Sequence, residues 1–319
     1  MKAIFLENGH LSFKTDYPRP QPAAHEALVR VTLSGICATD LEIVKGYVPD
    51  FKGVMGHEFV GVVEEAADAS LIGKRVTSTI NIVDPRTADT SLPVSKEHHP
   101  QRTVLGIINR DGIFADYVAL PVDNLVLIPD TVPDERAVFT EPLAAALRIR
   151  EQVRVKPSAH TAVIGPGRLG MLVGKVLSLA GTHVSMLGRS AASLELPQQW
   201  GLHTTLIDEA EADSFDFVVE CTGNIAGFEH ALRITRPLGT IILKSTFAGA
   251  PPIDLTKVVV GELNIVGSRC GPFHPAVRLL EQNAIPVTAM IEQEYPLEAA
   301  VDAFTHAAQA GVRKILLRP

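Results

Sequence analysis

The chain has 319 residues, of which 46% are hydrophobic and 20% charged, and its net charge is −7. That length exceeds what one core usually serves and predicts two domains, while the acidic balance excludes a basic field for nucleic acid or for an anionic membrane surface. Cys37, Cys221 and Cys270 are too few and too scattered for a disulfide framework, and with neither an 18-residue apolar run nor a signal-peptide-like start a cytoplasmic protein is expected.

Along residues 1–128, short β-type runs alternate with Gly and Pro: "ALVRVTLSGI", "FVGVVEEA", "KRVTSTINIV" and "FADYVALP". Within this part "GVMGHEFVGVV" (53–63) reads as one strand, yet it carries His57 and Glu58 side by side. Such a pair signals a structural polar network or a metal site. Residues 84–103 are polar, contain Pro and lack any period, so they read as a surface loop whose His98 and His99 form a solvated pair rather than a metal site. From 143 to 270 strands and helices alternate, which predicts a parallel sheet with crossover helices. "TAVIGPG" precedes a helix from Leu169 to Ala180, and "THVSMLGR", "FDFVVECTG" and "GTIILKST" supply further strands. Residues 271–319 carry two helices ("PAVRLLEQN" and "LEAAVDAFTHAAQAG") and a last strand, "KILLRP".

"AVIGPGRLG" sets Gly165, Gly167 and Gly170 in a G-x-G-x-x-G spacing after a strand and before a helix, with Arg168 and Leu169 between the last two glycines as further cofactor-binding candidates. The first glycine permits the tight turn, the second lets a pyrophosphate approach the backbone, and the third lets helix and strand pack. Free N–H groups at the helix start favour the phosphates. Where an acidic residue would bond the ribose of NAD, the chain reads Gly188, Arg189, Ser190. Arg189 offers a donor fork to a 2′-phosphate, helped by the Ser190 hydroxyl, so NADP(H) is favoured over NAD(H). A surface turn with an incidental arginine is the plainer alternative.

Cys37, Thr39 and Asp40 fall in "SGICATD", and Glu141 falls in "FTEPLAAAL" just before a helix. Singly, each has a structural explanation: a small buried thiol for Cys37, a carboxylate serving a helix dipole for Glu141. Together with His57 and Glu58 they make a thiolate, imidazole and carboxylate set of the kind that holds a catalytic zinc. The order "GICATD", "GHEFVG", "GIFADY", "EPLA", "GPGRLG" resembles the zinc-dependent medium-chain dehydrogenase/reductase family, its sorbitol and threonine dehydrogenase branch above all.

That resemblance spans essentially the whole chain. It implies an α/β protein with a GroES-like β-rich catalytic domain (1–142 and 271–319) and a Rossmann doubly wound parallel-sheet domain (143–270). It implies Cys37, His57 and Glu141 as ligands of one zinc per chain, with Glu58 able to swing onto the metal, Asp40 orienting His57, and Thr39 starting a proton relay. Glu42 stands where several relatives carry a relay histidine. Four closely spaced cysteines of the larger members, which hold a structural zinc, have no counterpart, since no Cys lies between 37 and 221. Thr222 in "ECTGN" and Cys270 in "GSRCG" are expected near the nicotinamide, with a plain packing role the equal alternative for Cys270, and Arg313 is expected at the pyrophosphate. The implied activity is reversible hydride transfer between an alcohol or polyol and its ketone or aldehyde. Its partners would be the small-molecule substrate and further copies in a dimer or tetramer. A zinc-free quinone or enone reductase and a non-catalytic NADP(H)-binding protein are the competing readings; the sequence leaves the substrate open.

Overall fold

Glycine and proline break residues 1–141 into short strands, and the longest, Glu26–Gly35, is the hub of the first of two units. The computed structural model describes residues 1–89, 91–246, 253 and 255–319. One unit is Met1–Glu141 with Phe273–Pro319, and the other is Pro142–Pro272.

In the first unit Glu26–Gly35 pairs antiparallel with Glu58–Ala66 on one flank, and with Tyr117–Pro121 and then Lys314–Arg318 on the other. The sheet runs on through Arg75–Ser78 to Leu125–Leu127 at one end and through Ile291–Pro296 at the other. Val29, Val31, Phe59 and Leu317 are among the buried side chains that this sheet contributes to the core, and Phe114, from the bend before Tyr117–Pro121, joins them. The helix Ala300–Ala307 closes over them, with Phe304 edge-on to Phe114 at 5.8 Å between ring centres. Such an aromatic pair adds about 0.5–1.5 kcal/mol beyond its buried area.

The stretch 53–63 is not the single strand that its apolar residues suggest. It forms Gly53–Val54 and Glu58–Ala66, separated by Met55, Gly56 and His57. Gly56 has φ +96°, which side-chain-bearing residues rarely adopt, and a Cβ there would lie 2.6 Å from the Phe114 ring. The break turns His57 out of ladder pairing and starts the second strand at Glu58. The loop 84–103 differs from its reading in one respect: His99 is buried. Its Nδ1 accepts from the Gln101 N–H at 3.1 Å and its Nε2 lies 3.1 Å from the Asp89 carbonyl, so the ring pins the loop rather than facing water. His98 is exposed as expected.

The second unit is a six-stranded parallel sheet in the order His203–Leu206, His183–Gly188, His160–Ile164, Phe215–Glu220, Thr235–Leu243, Asn264–Gly267. Counted along the chain this is 3-2-1-4-5-6, a doubly wound sheet whose strand order reverses beside His160–Ile164. Its central strands read as continuous apolar runs ("AVI", "FVV") because helices cover both faces. The helix after the glycine loop is Arg168–Leu179, one residue from its expected bounds. No helix among the described residues is long and apolar enough to cross a membrane.

Candidate functional site

Cys37 ends the central strand's excursion and begins the helix Ala38–Val44, its own backbone extended at φ −91° and ψ 159°. Asp40, three residues on, accepts the Cys37 N–H at 2.8 Å and so caps the helix start. The same carboxylate presents Oδ1 to His57 Nδ1 at 3.3 Å, and both residues are buried. Burial pushes the His57 imidazole toward its neutral form. The Asp40 carboxylate outweighs that, with help from the Cys37 side chain, and holds the pKa well above the usual histidine value.

The ligand atoms of Cys37, His57 and Glu58 all lie within 4.8 Å of one another, the one such group of three among the described residues. Glu58 follows His57 directly, so the strand start that fixes one residue fixes the other. Glu141 sits half-buried in the first turn of Thr140–Gln152 and is outside that group of three. Thr39 is half-buried in the first turn of Ala38–Val44. Glu42, one turn further along, is paired with Lys45 at 2.8 Å near the surface.

Sequence reasoning missed Lys314. Its ammonium is 2% exposed and forms an ion pair with Glu58 Oε2, itself 1% exposed. It also donates to the Ile36 carbonyl at 3.4 Å and lies 5.5 Å from the centre of the Phe139 ring. Gly35 makes room for the pair, because a Cβ there would stand 3.0 Å from Glu58 Oε2 and 3.3 Å from Lys314 Cδ. The signal in the sequence is faint: a lysine set flush against the apolar strand "ILL".

In the second unit the glycine loop joins strand His160–Ile164 to helix Arg168–Leu179. A Cβ on Gly170 would fall 1.9 Å from the Gly165 carbonyl, so strand end and helix touch through bare backbone. A Cβ on Gly167 would meet nothing within 4 Å, leaving open space over the helix start, where Gly167 gives no side-chain cap. Arg168 and Leu169 are half-buried at that first turn. The neighbouring strand ends at Glu220, fully buried, whose Oε1 accepts from the Thr222 N–H, the Thr222 hydroxyl and the Gly223 N–H. Glu220 therefore sets the Thr222 turn, a role that the sequence alone did not indicate.

Gly188 ends the strand His183–Gly188 and packs on the next helix, for a Cβ there would lie 2.5 Å from Ser193 Oγ. Ser190 caps that helix by accepting the Ser193 N–H at 3.4 Å, which leaves its hydroxyl proton to donate. Arg189 is exposed and has no ion-pair partner among the described residues. Arg313, in the first unit, lies 3.5 Å from Glu292. Cys270 adopts φ +53° beside Arg269.

Two family models match the chain: "Alcohol dehydrogenase GroES-like domain" over residues 23–130 and "Zinc-binding dehydrogenase" over residues 169–282. A sorbitol dehydrogenase of Halalkalibacterium halodurans is 28% identical over 98% of this chain and 96% of its own. An L-threonine 3-dehydrogenase of an Anaeromyxobacter species is 28% identical over 79% and 78%. Among solved structures, a Sinorhizobium meliloti protein assigned as a zinc-binding dehydrogenase and bound to NADP is 29% identical, with a TM-score of 0.90 over 100% of this chain and 99% of that one.

Proposed function

Because the chain belongs to the zinc-type, alcohol dehydrogenase-like family of medium-chain dehydrogenases/reductases, we propose that its Cys37–His57–Glu58 cluster is the metal centre of an NAD(P)-linked alcohol or polyol dehydrogenase. The observation that carries this reading is the convergence of one thiol, one imidazole and one carboxylate within 4.8 Å in a buried setting. Cys37 and His57 are the proposed zinc donors, and the Glu58 carboxylate beside them is a reserve donor able to swing onto the metal. The fit is supported by Asp40, whose Oδ1 faces His57 Nδ1 and leaves Nε2 as the nitrogen for a metal. Glu141 is proposed as a further ligand on family resemblance.

Zinc bound there supplies Lewis acidity toward an alcohol oxygen, and a nicotinamide dinucleotide supplies the hydride acceptor. The chain's own residues do the rest. Asp40 orients His57 and keeps its ring from rotating. The Thr39 hydroxyl, two residues from Cys37, takes the substrate's proton, and Glu42 on the same helix face offers a way out to water. Gly167 and the uncapped helix start at Arg168 and Leu169 receive the pyrophosphate, with Arg313 a second proposed contact; Gly165 and Gly170 keep strand and helix close. Thr222, held by Glu220, lies at the carboxyl end of the strand next to the switch point, where ligands of such sheets bind.

NADP(H) is the proposed cofactor because the turn after His183–Gly188 offers the unpaired Arg189 and no carboxylate. A homo-oligomer is proposed along the outer strand Asn264–Gly267, an edge with Ile265 40% exposed and with Leu238, Val259 and Val260 exposed in the elements beside it. The test is zinc per chain by elemental analysis in wild type and Cys37→Ala, with turnover of a panel of alcohols and polyols on NADP⁺ and NAD⁺. About one zinc lost with Cys37, and turnover with at least one alcohol, are the expected results. Wild type free of zinc and inactive on every alcohol would overturn the reading in favour of a metal-free reductase or a cofactor-binding protein.

A further inference from the structure

Glu58 is the carboxylate that lies within 4.8 Å of both the Cys37 thiol and the His57 imidazole in a metal-ligating arrangement, yet its Oε2 is committed to Lys314. Three features hold that commitment in place. The strand Lys314–Arg318 pairs with Glu26–Gly35 through Leu316 and Gly35, and Glu58 pairs with the same Gly35 from the other flank. Gly35 thus separates the two partners by one strand and, having no side chain, lets them meet above it. The Ile36 carbonyl and the face of Phe139 occupy the ammonium's remaining approaches. A buried lysine with no other acidic partner among the described residues, beside a residue able to ligate metal, is more than a packing device: its charge competes directly with a dication for one carboxylate.

We infer that Lys314 is a positioning residue that holds Glu58 by its carboxylate and so keeps one coordination position of the metal open for substrate. The inference rests on the metal-centre reading above. If the ammonium is lost, Glu58 is left as a buried carboxylate without a counter-charge, and a divalent ion held by Cys37 and His57 would be the group to satisfy it. Glu58 would then serve as a direct ligand in the position that Lys314 otherwise keeps for substrate. The pair sits within the first unit, so the effect does not depend on the cofactor.

The test uses full-length protein with cobalt(II) in place of zinc, read by its visible absorption and by the rate at which a chelator removes it. The variants are Lys314→Met, Lys314→Arg, Glu58→Gln and the double variant Lys314→Met/Glu58→Gln. In Lys314→Met the cobalt bands should shift and metal release should slow about tenfold or more, while Lys314→Arg and Glu58→Gln should retain the wild-type bands. The double variant should return to the wild-type spectrum, which a merely structural role for Lys314 does not predict. Wild-type bands in a folded Lys314→Met protein, or shifted bands in Glu58→Gln alone, would overturn the inference; the second outcome holds even if Lys314→Met fails to fold. Wild type that binds neither cobalt nor zinc overturns the metal-centre reading itself, and the inference with it.

Discussion

Asp40 does two things with one carboxylate: Oδ2 caps a helix through the Cys37 N–H and Oδ1 faces His57. Asp40→Asn can keep the cap but loses the charge, so metal affinity measured by chelator competition should fall about 10- to 100-fold. Unchanged affinity would separate Asp40 from the centre. Thr39→Val removes the hydroxyl without changing the side chain's shape, and kcat should drop about 10²- to 10⁴-fold, with Thr39→Ser largely active. Equal rates for all three residues would remove Thr39 from the proton path. For the cofactor, Arg189→Ala should raise the KM for NADP⁺ by roughly tenfold or more and leave that for NAD⁺ nearly unchanged, since a hydrogen bond to a charged group is worth about 1.5–3 kcal/mol. A parallel rise for both cofactors would mean that Arg189 stacks on adenine instead of binding phosphate.

The break at Met55–His57 depends on the backbone freedom of Gly56. Gly56→Ala combines a strained φ with a Cβ 2.6 Å from the Phe114 ring, and such strain costs about 1–3 kcal/mol. Its melting temperature should fall by about 2–4 °C per kcal/mol, and zinc content should fall too, because His57 is displaced. A second tie lies at the start of the central strand, where Glu26 pairs with Arg110 at 2.6 Å. Burial alone would raise the Glu26 pKa, but the Arg110 guanidinium and the Ala23 N–H outweigh it and hold the carboxyl below its ordinary range. Its contribution is therefore complete above the ordinary carboxylate range and is lost as pH falls through the lowered value. The acid limb of stability should be shallower in Glu26→Gln; an identical limb would refute that origin. Elements whose cause is local were legible in the sequence: the glycine loop sits between its own strand and helix, and the alternation at 143–270 marks the parallel sheet. The break at Gly56 was not, because the ring that enforces it belongs to Phe114 and no local pattern announces it. Lys314 was hidden for the same reason, its partner lying 256 residues away. Cys37, His57 and Glu58 were legible as a set only through the ordered motifs, since spacing alone does not bring Cys37 to His57, and nothing local marks Glu220 as the brace of Thr222.

The proposed metal and dinucleotide residues divide between the two units, Cys37, His57 and Glu58 in one and the glycine loop in the other. Each ligand should leave its own footprint in hydrogen exchange: NADP⁺ should slow exchange at 165–170 and 188–190, and zinc at 36–40 and 56–59. At one hundred times its dissociation constant either ligand stabilises what it binds by about 2.7 kcal/mol. Slowing at neither segment with saturating NADP⁺ would refute the loop as the phosphate site. The interleaving of the first unit has a further consequence for the living cell. Residues 142–272 are contiguous and can fold as they leave the ribosome, but the strand that delivers Lys314 is made 256 residues after Glu58. At about 5–20 residues per second that is a delay of roughly 13–50 s. During it the thiol, the imidazole and an unopposed carboxylate are already synthesised, so the nascent chain is open to whichever metal it meets first, and the ion-pair partner that tempers the site arrives last.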